Sequence, residues 1–332
     1  MDAPAGPAEQ LRGSAQLDER ATREMLVTVA RRYYLEDASK VAIAAELGIS
    51  RFRVARLLTL AREAGVVRIR VESGPGDHGE LAAAITERLG LRRCAVLNGA
   101  AGDSSPQARR IRLGELAAAE LSAVLTPSDV LGLPWSRSAS ATVAALRTLP
   151  PIDIVQLSGA RYEPGADQIA SPADMVRDLA AMGGGRSYRF HAPFVAPDRA
   201  AADYLRKDPA FIAAHEHVTS VTVAIVGVGV FEPELSTLYG AASAAEIEEL
   251  RAGGAVGEVS GVFVDAFGDN VASQFARRLL TTSDVELRAI PNVIGVCMGA
   301  ERAAAVTAAC RGGLLNSLVL DVPLAQELLS AD

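Results

Sequence analysis

Hydroxyl and cationic side chains gather in residues 132–140, GLPWSRSAS. Ser136, Arg137 and Ser138 follow a short apolar run and stand at the start of a predicted helix. Hydroxyls, a guanidinium and the free amides of a helix N-terminus together suit a phosphate or a polyol. The alternative interpretation is that these residues only cap the helix. We expect this segment to bind a ligand.

Loops of related composition follow other predicted strands, and in an open parallel sheet ligands bind outside the carboxyl ends of the strands. Gly227 and Gly229 favour a plain turn over a nucleotide site, since Glu232 replaces the third glycine of a dinucleotide fingerprint. Asp265 and Asp321 are candidate ligand groups, although the first could form a turn and the second could cap a helix. The loops are LSGA (157–160), VGVGVFEPELS (226–236), VDAFGDN (264–270), CMGAERAAAV (297–306) and NSLVLDVPLA (316–325).

No set of residues predicts catalysis or a metal centre. His215 and His217 flank Glu216, but no third ligand can be named for them. The chain has no Gly-x-Ser-x-Gly elbow, and Lys40 and Lys207 are its only lysines, which argues against Schiff-base chemistry. We therefore expect no catalytic residue, no metal and no cofactor.

A different pattern occupies residues 39–64, SKVAIAAELGISRFRVARLLTLAREA. It predicts two short helices joined at Gly48, with Ser39 and Ser50 as N-caps. This is the helix-turn-helix pattern, in which the second helix enters the major groove of DNA. The apolar seam between the two helices is expected to contain Val41, Ile43, Ala44, Leu47, Ile49, Val54, Leu57 and Leu58.

The second helix carries basic residues that are not required for packing against the first helix, and these form an exposed basic surface. An arginine there can pair with guanine, and Phe52 can touch a thymine methyl group. Residues 66–72, VVRIRVE, predict a strand that would form a wing, with Arg68 and Arg70 near phosphates. The expected groove contacts are Ser50, Arg51, Phe52, Arg53 and Arg56.

Charge is distributed unevenly along the 332-residue chain, whose net charge is −7. Residues 18–72 contain eleven basic and eight acidic side chains, a net +3, so the remainder carries −10. A basic head on an acidic body keeps attraction to DNA local. Two other interpretations are arginines that only solvate a helix face, and a helix-turn-helix that contacts protein.

The composition predicts two domains of a cytoplasmic protein. The three cysteines are far apart, the N-terminus lacks a signal peptide, and no apolar run is long enough for a membrane span. Strands and helices alternate beyond the head, which predicts an α/β fold with a mainly parallel, covered sheet. The expected parts are a disordered tail (1–17), a winged helix-turn-helix (18–72), a linker (73–79) and an effector domain (80–332).

The order and spacing of these segments resemble the SorC family of bacterial transcriptional regulators. The head matches over YYLEDASK through VVRIRV, and the body matches through GLPWSRS, IVQLSGA, VGVGV, GVFVDAFGDNV, VIGVCMGAERAAAV and RGGLLNSLVLDVPLA. The resemblance implies a winged helix-turn-helix joined to a sugar-binding domain of the isomerase and CoA-transferase type, which senses rather than catalyses. The implied pocket residues are Ser136, Arg137, Ser138, Gly159, Gly227, Gly229, Asp265, Gly299 and Arg302.

The resemblance also implies partners: double-stranded operator DNA, a sugar, sugar alcohol or sugar phosphate, and further copies of the chain, commonly in a tetramer. Three positions depart from the family pattern, which usually has glycine at Ser136, lysine at Arg302 and Thr-Asp-Glu at residues 320–322. The alternative function is a sugar-phosphate isomerase or CoA-transferase-like enzyme with a fused head. The lack of an identifiable base–nucleophile pair argues against that enzyme.

Overall fold

The computed structural model describes residues 24–64, 66–67, 78–98, 105–161 and 171–330. The chain divides into two compact units, Met1–Gly74 and Pro75–Asp332. The predicted tail, Arg68, Arg70 and most of the predicted wing lie outside the described residues. Of the predicted linker, residues 73–77 also lie outside, whereas His78 and Gly79 belong to a helix rather than to a linker.

The N-terminal unit contains three described helices: α1 (24–34), α2 (Lys40–Leu47) and α3 (Arg51–Glu63). Ser39 and Ser50 cap α2 and α3 as predicted, each accepting a hydrogen bond from the amide three residues later, at 3.1 Å and 3.2 Å. Gly48 ends α2 in the left-handed region, with φ +64°, where a side chain would be strained. The two serine caps and Gly48 together determine the turn between α2 and α3.

The seam between α2 and α3 contains most of the predicted apolar residues. Ile43, Val54 and Leu58 are buried together with Val29 of α1. The prediction for Val41 is wrong, because its side chain is 65% exposed. Val41 precedes Ile43 by two residues, and two residues turn a helix by roughly 200°, so both cannot face the seam.

The second unit is built on a parallel sheet. Its seven strands run in the order β1-β10-β9-β5-β2-β3-β4, and every described pairing in this sheet is parallel. Buried apolar runs such as VAIV in β5 suit a sheet that is covered on both faces. The described strands are β1 (Arg93–Leu97), β2 (Val130–Leu133), β3 (Asp153–Gln156), β4 (Ser187–Tyr188), β5 (Val223–Val226), β6 (Val228–Gly229), β7 (Gly257–Val259), β8 (Val262–Val264), β9 (Asn292–Cys297) and β10 (Ser317–Asp321).

Helices cover both faces of this sheet. One hydrophobic cluster joins α5, α6 and α7 to the sheet, and another joins α4, α11, α12 and α13 to its opposite side. The predicted α/β class with a covered parallel sheet is therefore confirmed. The helices are α4 (His78–Leu89), α5 (Pro106–Val124), α6 (Arg137–Ala145), α7 (Pro172–Gly183), α8 (Arg199–Leu205), α9 (Pro209–Glu216), α10 (Ala244–Ala252), α11 (Asp284–Ala289), α12 (Ala303–Arg311) and α13 (Val322–Ser330).

A three-stranded antiparallel sheet, in the order β6-β7-β8, stands apart from the parallel sheet. The sequence predicts one strand over residues 258–265, and this prediction is wrong. Ser260 and Gly261 instead form a two-residue turn, with φ +55° and +85°, that joins β7 to β8. Two positive φ values are typical of the hairpin turn that matches strand twist. The turn brings Glu258 opposite Phe263.

Some predicted boundaries also shift. The sequence predicts a helix over residues 136–149, whereas α6 ends at Ala145, and a residue before proline such as Leu149 disfavours helix. Helices α10 and α11 were not predicted, although each begins with a capping box, Ser243 with Glu246 and Ser283 with Glu286. Among the described residues, no helix is both long enough and apolar enough to cross a membrane.

Candidate functional site

The candidate site lies at the point in the parallel sheet where the strand order reverses. From β2 the chain continues to β3 on one side, whereas from β5 it continues to β9 on the other. Loops that leave β2 and β5 therefore diverge, and this is where ligands bind in open α/β sheets. Residues from the loops after β2, β5 and β9 line a cavity of about 90 Å³, called the first cavity below. One water needs roughly 10–15 Å³, so several water-sized groups fit.

Six predicted ligand residues meet in the first cavity, and four do not. Trp135, the single tryptophan of the chain, also lines it and is 3% exposed. Because Trp135 lines the cavity, we expect its fluorescence to report occupancy. The predicted residues that line the cavity are Ser136, Arg137, Ser138, Gly227, Gly229 and Arg302.

The start of α6 forms one wall of the first cavity. Ser136 caps the helix, since its Oγ accepts a hydrogen bond from the Ala139 amide at 2.9 Å. The capping interpretation therefore holds for Ser136, which also lines the cavity. The amides of Arg137 and Ser138 precede the first intrahelical hydrogen bond, as in any helix start. Such amides, beside hydroxyls and a guanidinium, attract anionic oxygens.

Arg302 forms a second cationic group in the cavity, and the backbone holds it in place. Its Nε donates to the Val228 carbonyl at 3.3 Å, and its Nη1 donates to the Met298 carbonyl at 2.7 Å. Nη1 also pairs with the Glu301 carboxylate. Within the described residues, no hydrogen bond uses Nη2. Arg302 is thus held by the backbone of β6 and by the residue that follows β9, and it keeps a donor for a ligand.

Glu258 is a cavity residue that the sequence analysis missed. Its carboxylate is buried, and Oε2 accepts a hydrogen bond from the Gly261 amide at 2.9 Å. Burial raises the pKa of this carboxyl, and hydrogen bonds from the Gly261 amide and the Ser236 hydroxyl offset part of that rise. The signal that could have found Glu258 is a charged residue inside an otherwise apolar segment.

Ser260 adds a polar group to the same wall. Ser260 lines the cavity and is 8% exposed, and its buried Oγ has no hydrogen-bond partner among the described residues. An unpaired buried hydroxyl costs free energy, on the order of 1–3 kcal/mol, unless a ligand or water pairs with it. The cavity therefore places acceptors and donors on the hairpin side and cationic groups on the helix side.

Gly159 and Asp265 do not line the first cavity. A Cβ on Gly159 would lie 2.3 Å from the Pro193 carbonyl oxygen, so this glycine permits two backbone segments to pack. Asp265 Oδ1 accepts hydrogen bonds from the amides of Phe267 and Asp269, at 2.9 Å and 3.0 Å. That geometry corresponds to the turn that the sequence left open as an alternative.

Gly299 and Asp321 also lie outside the cavity lining, but they support it. The carboxylate of Asp321 is buried at the end of β10, and its Oδ1 accepts from the amides of Gly299, at 3.0 Å, and Leu324, at 3.3 Å. Oδ2 lies 3.6 Å from Nη1 of Arg109. Asp321 thus caps α13, as the alternative interpretation stated, and fixes the loop that carries Arg302.

The N-terminal unit presents the predicted basic surface. The Arg51 guanidinium lies 4.9 Å from the centroid of the Phe52 ring, and Phe52 is 72% exposed. A bare aromatic ring beside an arginine, at the start of a helix, has no packing role in this unit. The side chains of Ser50, Arg51, Phe52, Arg53 and Arg56 are all exposed.

Comparison with known proteins identifies the family to which this chain belongs. Residues 75–330 match the Sugar-bind family, described as a putative sugar-binding domain. The transcriptional regulator LsrR of Enterobacter sp. (strain 638) is 28% identical over 316 residues, covering 92% of this chain and 93% of that protein. The sorbitol operon regulator of Klebsiella pneumoniae is 25% identical, covering 92% and 97%.

Solved structures share the fold. The full-length sorbitol operon regulator SorC from Klebsiella pneumoniae aligns with a TM-score of 0.72 and 23% identity, covering 92% of this chain and 98% of that one. A domain of a possible sugar-binding transcriptional regulator from Arthrobacter aurescens TC1 aligns with a TM-score of 0.68, covering 78% of this chain. Together with the helix-turn-helix, these matches confirm the resemblance seen in the sequence. The chain belongs to the Sugar-bind family and is a transcriptional regulator of the SorC type.

Proposed function

We propose that this protein binds operator DNA through α3 and that a small carbohydrate in the first cavity controls this binding. The observation that carries the proposal is the chemistry of the cavity. Cationic and amide donors lie at the start of α6 and at Arg302, while a buried carboxylate, Glu258, and a hydroxyl, Ser260, lie on the hairpin. Carboxylates accept hydrogen bonds from the hydroxyls of sugars and polyols.

A phosphorylated sugar or sugar alcohol fits this arrangement best. Its phosphate would pair with the amides of Arg137 and Ser138 and with Arg302, because charge-assisted hydrogen bonds to phosphate are among the strongest. Its hydroxyls would pair with Glu258 and Ser260, and its ring or chain would pack against Trp135. The relative named for the sorbitol operon supports a polyol as one candidate.

The ligand would act by binding one arrangement of the regulator better than another. A ligand shifts an equilibrium only through such a difference in affinity. One head offers few base contacts, so we propose a homo-oligomer, a tetramer as in the family pattern, on a pseudo-palindromic site in the cytoplasm. The N-terminal unit supplies the exposed Arg51, Phe52, Arg53 and Arg56 for the groove.

A screen of the full-length protein tests this function. Pentoses, hexoses, polyols and their phosphates are added one at a time, and the melting temperature and the fluorescence of Trp135 are followed. A ligand that binds only the folded state raises the melting temperature, and at a given concentration a tighter ligand raises it more. We expect one chemical class to do so, to change the fluorescence, and to alter the mobility shift of the protein on its promoter.

Two outcomes would contradict the proposal. If ligands that bind leave the mobility shift unchanged, the cavity does not control DNA binding. If the bound sugar phosphate is converted, as seen by NMR of the small molecule during incubation, the cavity is an active site and the enzyme alternative is correct.

A further inference from the structure

A second cavity, of about 350 Å³, adjoins the hairpin that forms part of the first cavity. The two-residue turn between β7 and β8 serves both: Ser260 lines the first cavity, and Gly261 lines the second. Thr281, another residue of the second cavity, donates from Oγ1 to the Ser260 carbonyl at 2.7 Å. The two cavities therefore share a turn and its hydrogen bond.

The lining of the second cavity is basic, and most of its charged groups are paired. Arg206 binds Asp203 at 2.8 Å and the carbonyls of Arg277 and Leu279 at 3.1 Å and 2.8 Å. Asp284, the acidic residue of the lining, is engaged by Arg288 at 2.7 Å. The acidic side chain of the lining is thus paired with a cation.

His215 and Arg277 complete the basic lining. His215 Nε2 lies 3.0 Å from a carboxylate oxygen of Glu286, and its ring stacks on Phe211. Arg277 is exposed, and among the described residues no hydrogen bond or ion pair engages its guanidinium. Asn270, Thr281 and Thr282 belong to the same lining, and the hydroxyls of the two threonines already donate to the carbonyls of Ser260 and Leu157. A guanidinium beside a side-chain amide suits a small oxyanion.

We propose that the second cavity binds a small oxyanion of the phosphate type, with Arg277 as its principal cationic contact, and that its occupancy is coupled to the first cavity through the Ser260–Gly261 turn. The route of coupling is short. Gly261 donates its amide to Glu258 in the first cavity, and Ser260 accepts from Thr281 in the second. An anion that reorders Thr281 changes the turn, and hence the position of Glu258.

The coupling rests on the proposed function of the first cavity, whereas oxyanion binding does not. Coupling between two sites is reciprocal, so each ligand changes the affinity of the other by the same factor. A second site of this kind would let the regulator respond to two small molecules.

Titration of the full-length protein with inorganic phosphate, at constant ionic strength in chloride, tests the binding. We expect isothermal titration to count two phosphates per chain, and only one in either Arg277→Gln or Arg302→Gln. Arg177→Gln is the matched control, since Arg177 is an exposed arginine on α7, paired with Asp178 and outside both cavities. If Arg277→Gln binds as many phosphates as the control, the second site is disproved.

A second measurement separates the coupling from the binding. The first-cavity ligand is titrated by Trp135 fluorescence with and without phosphate, in the wild type and in Arg277→Gln. Phosphate also competes with the ligand inside the first cavity, and it does so in both proteins. We therefore expect the effect of phosphate on the affinity to differ at least about twofold between the wild type and Arg277→Gln, which retains the competition alone. Equal effects in both proteins would overturn the coupling. If no carbohydrate binds but Arg277 still determines one phosphate, the proposed function fails and the second site stands.

Discussion

Glu258 lies so close to Gly229, its partner in the β6–β7 pairing, that a Cβ on Gly229 would be 2.4 Å from Glu258 Oε1. Real Cβ atoms do not approach an oxygen so closely, so the carboxylate can occupy this place only above a glycine. The glycine is therefore required by a side chain on the neighbouring strand and not by its own backbone conformation. The relationship explains how a short strand can hold a carboxyl group inside the cavity.

Gly229→Ala should weaken carbohydrate binding by displacing the Glu258 carboxylate. A hydrogen bond to a charged group is worth about 1.5–3 kcal/mol, so we expect the affinity measured by Trp135 fluorescence to fall about tenfold or more. DNA binding without ligand should be unchanged. Gly79→Ala is the control, because Gly79 has an exposed position in α4 and a Cβ there meets no atom within 4 Å. An unaltered affinity in Gly229→Ala would remove Glu258 from the ligand contacts.

The buried carboxyl of Glu258 should also make stability depend on pH. Its pKa is raised above the ordinary value of 4.5, mainly by burial, so the folded state binds more protons than the unfolded state above that pH. The free energy of unfolding therefore falls as pH rises from 4.5 through the raised pKa. Glu258→Gln lacks this titration.

Urea unfolding of both proteins across the pH range measures this effect. We expect the stability of Glu258→Gln relative to the wild type to increase as pH rises from 4.5 through the raised pKa of Glu258, since other groups titrate equally in the two proteins and cancel. Parallel stability curves for the two proteins would show that the carboxyl is not perturbed in the folded state.

Asp321 should act on the ligand through Arg302 rather than by contact. Asp321→Ala leaves the amides of Gly299 and Leu324 without their acceptor, and each unpaired buried group costs on the order of 1–3 kcal/mol. We expect a lower melting temperature and weaker carbohydrate binding. Asp321→Asn keeps an acceptor oxygen and should restore both in large part. A direct ligand contact through the charge would instead leave Asp321→Asn as defective as Asp321→Ala.

The sequence predicted the layers of the fold better than its connections. Buried runs such as VAIV in β5 and capping residues such as Ser39 and Ser50 are local signals, and the structure has them in the predicted places. The order of the strands depends on long-range packing, which no local pattern encodes. The reversal of strand order between β2 and β5, where the first cavity lies, was therefore not predictable from the sequence.

The candidate site was predictable only in part for the same reason. Ser136 and Arg302 follow strands directly, so a rule about strand ends finds them. Glu258 and Ser260 reach the cavity because residues 258–265 contain a hairpin turn. The alternation of polar and apolar residues in this segment fits a single strand equally well, so the sequence does not indicate the turn. Gly159 shows the opposite error, since a glycine after a strand signals a close approach but does not identify the approaching group, here Pro193.

Arg51 and Arg53 should determine specific DNA binding without contributing to the fold. Both side chains are exposed, so alanine at either position should leave the melting temperature unchanged. A bidentate arginine–guanine contact is worth about 1–3 kcal/mol. Removal of a phosphate contact reduces the slope of the logarithm of the binding constant against the logarithm of the salt concentration by about one. The double variant Arg51→Ala, Arg53→Ala should therefore lose operator preference in a mobility-shift assay. Arg177→Ala, on α7, provides a control in which one exposed arginine is lost outside the N-terminal unit. Operator binding that survives the double variant at the same salt concentration would exclude α3 as the helix that reads the groove.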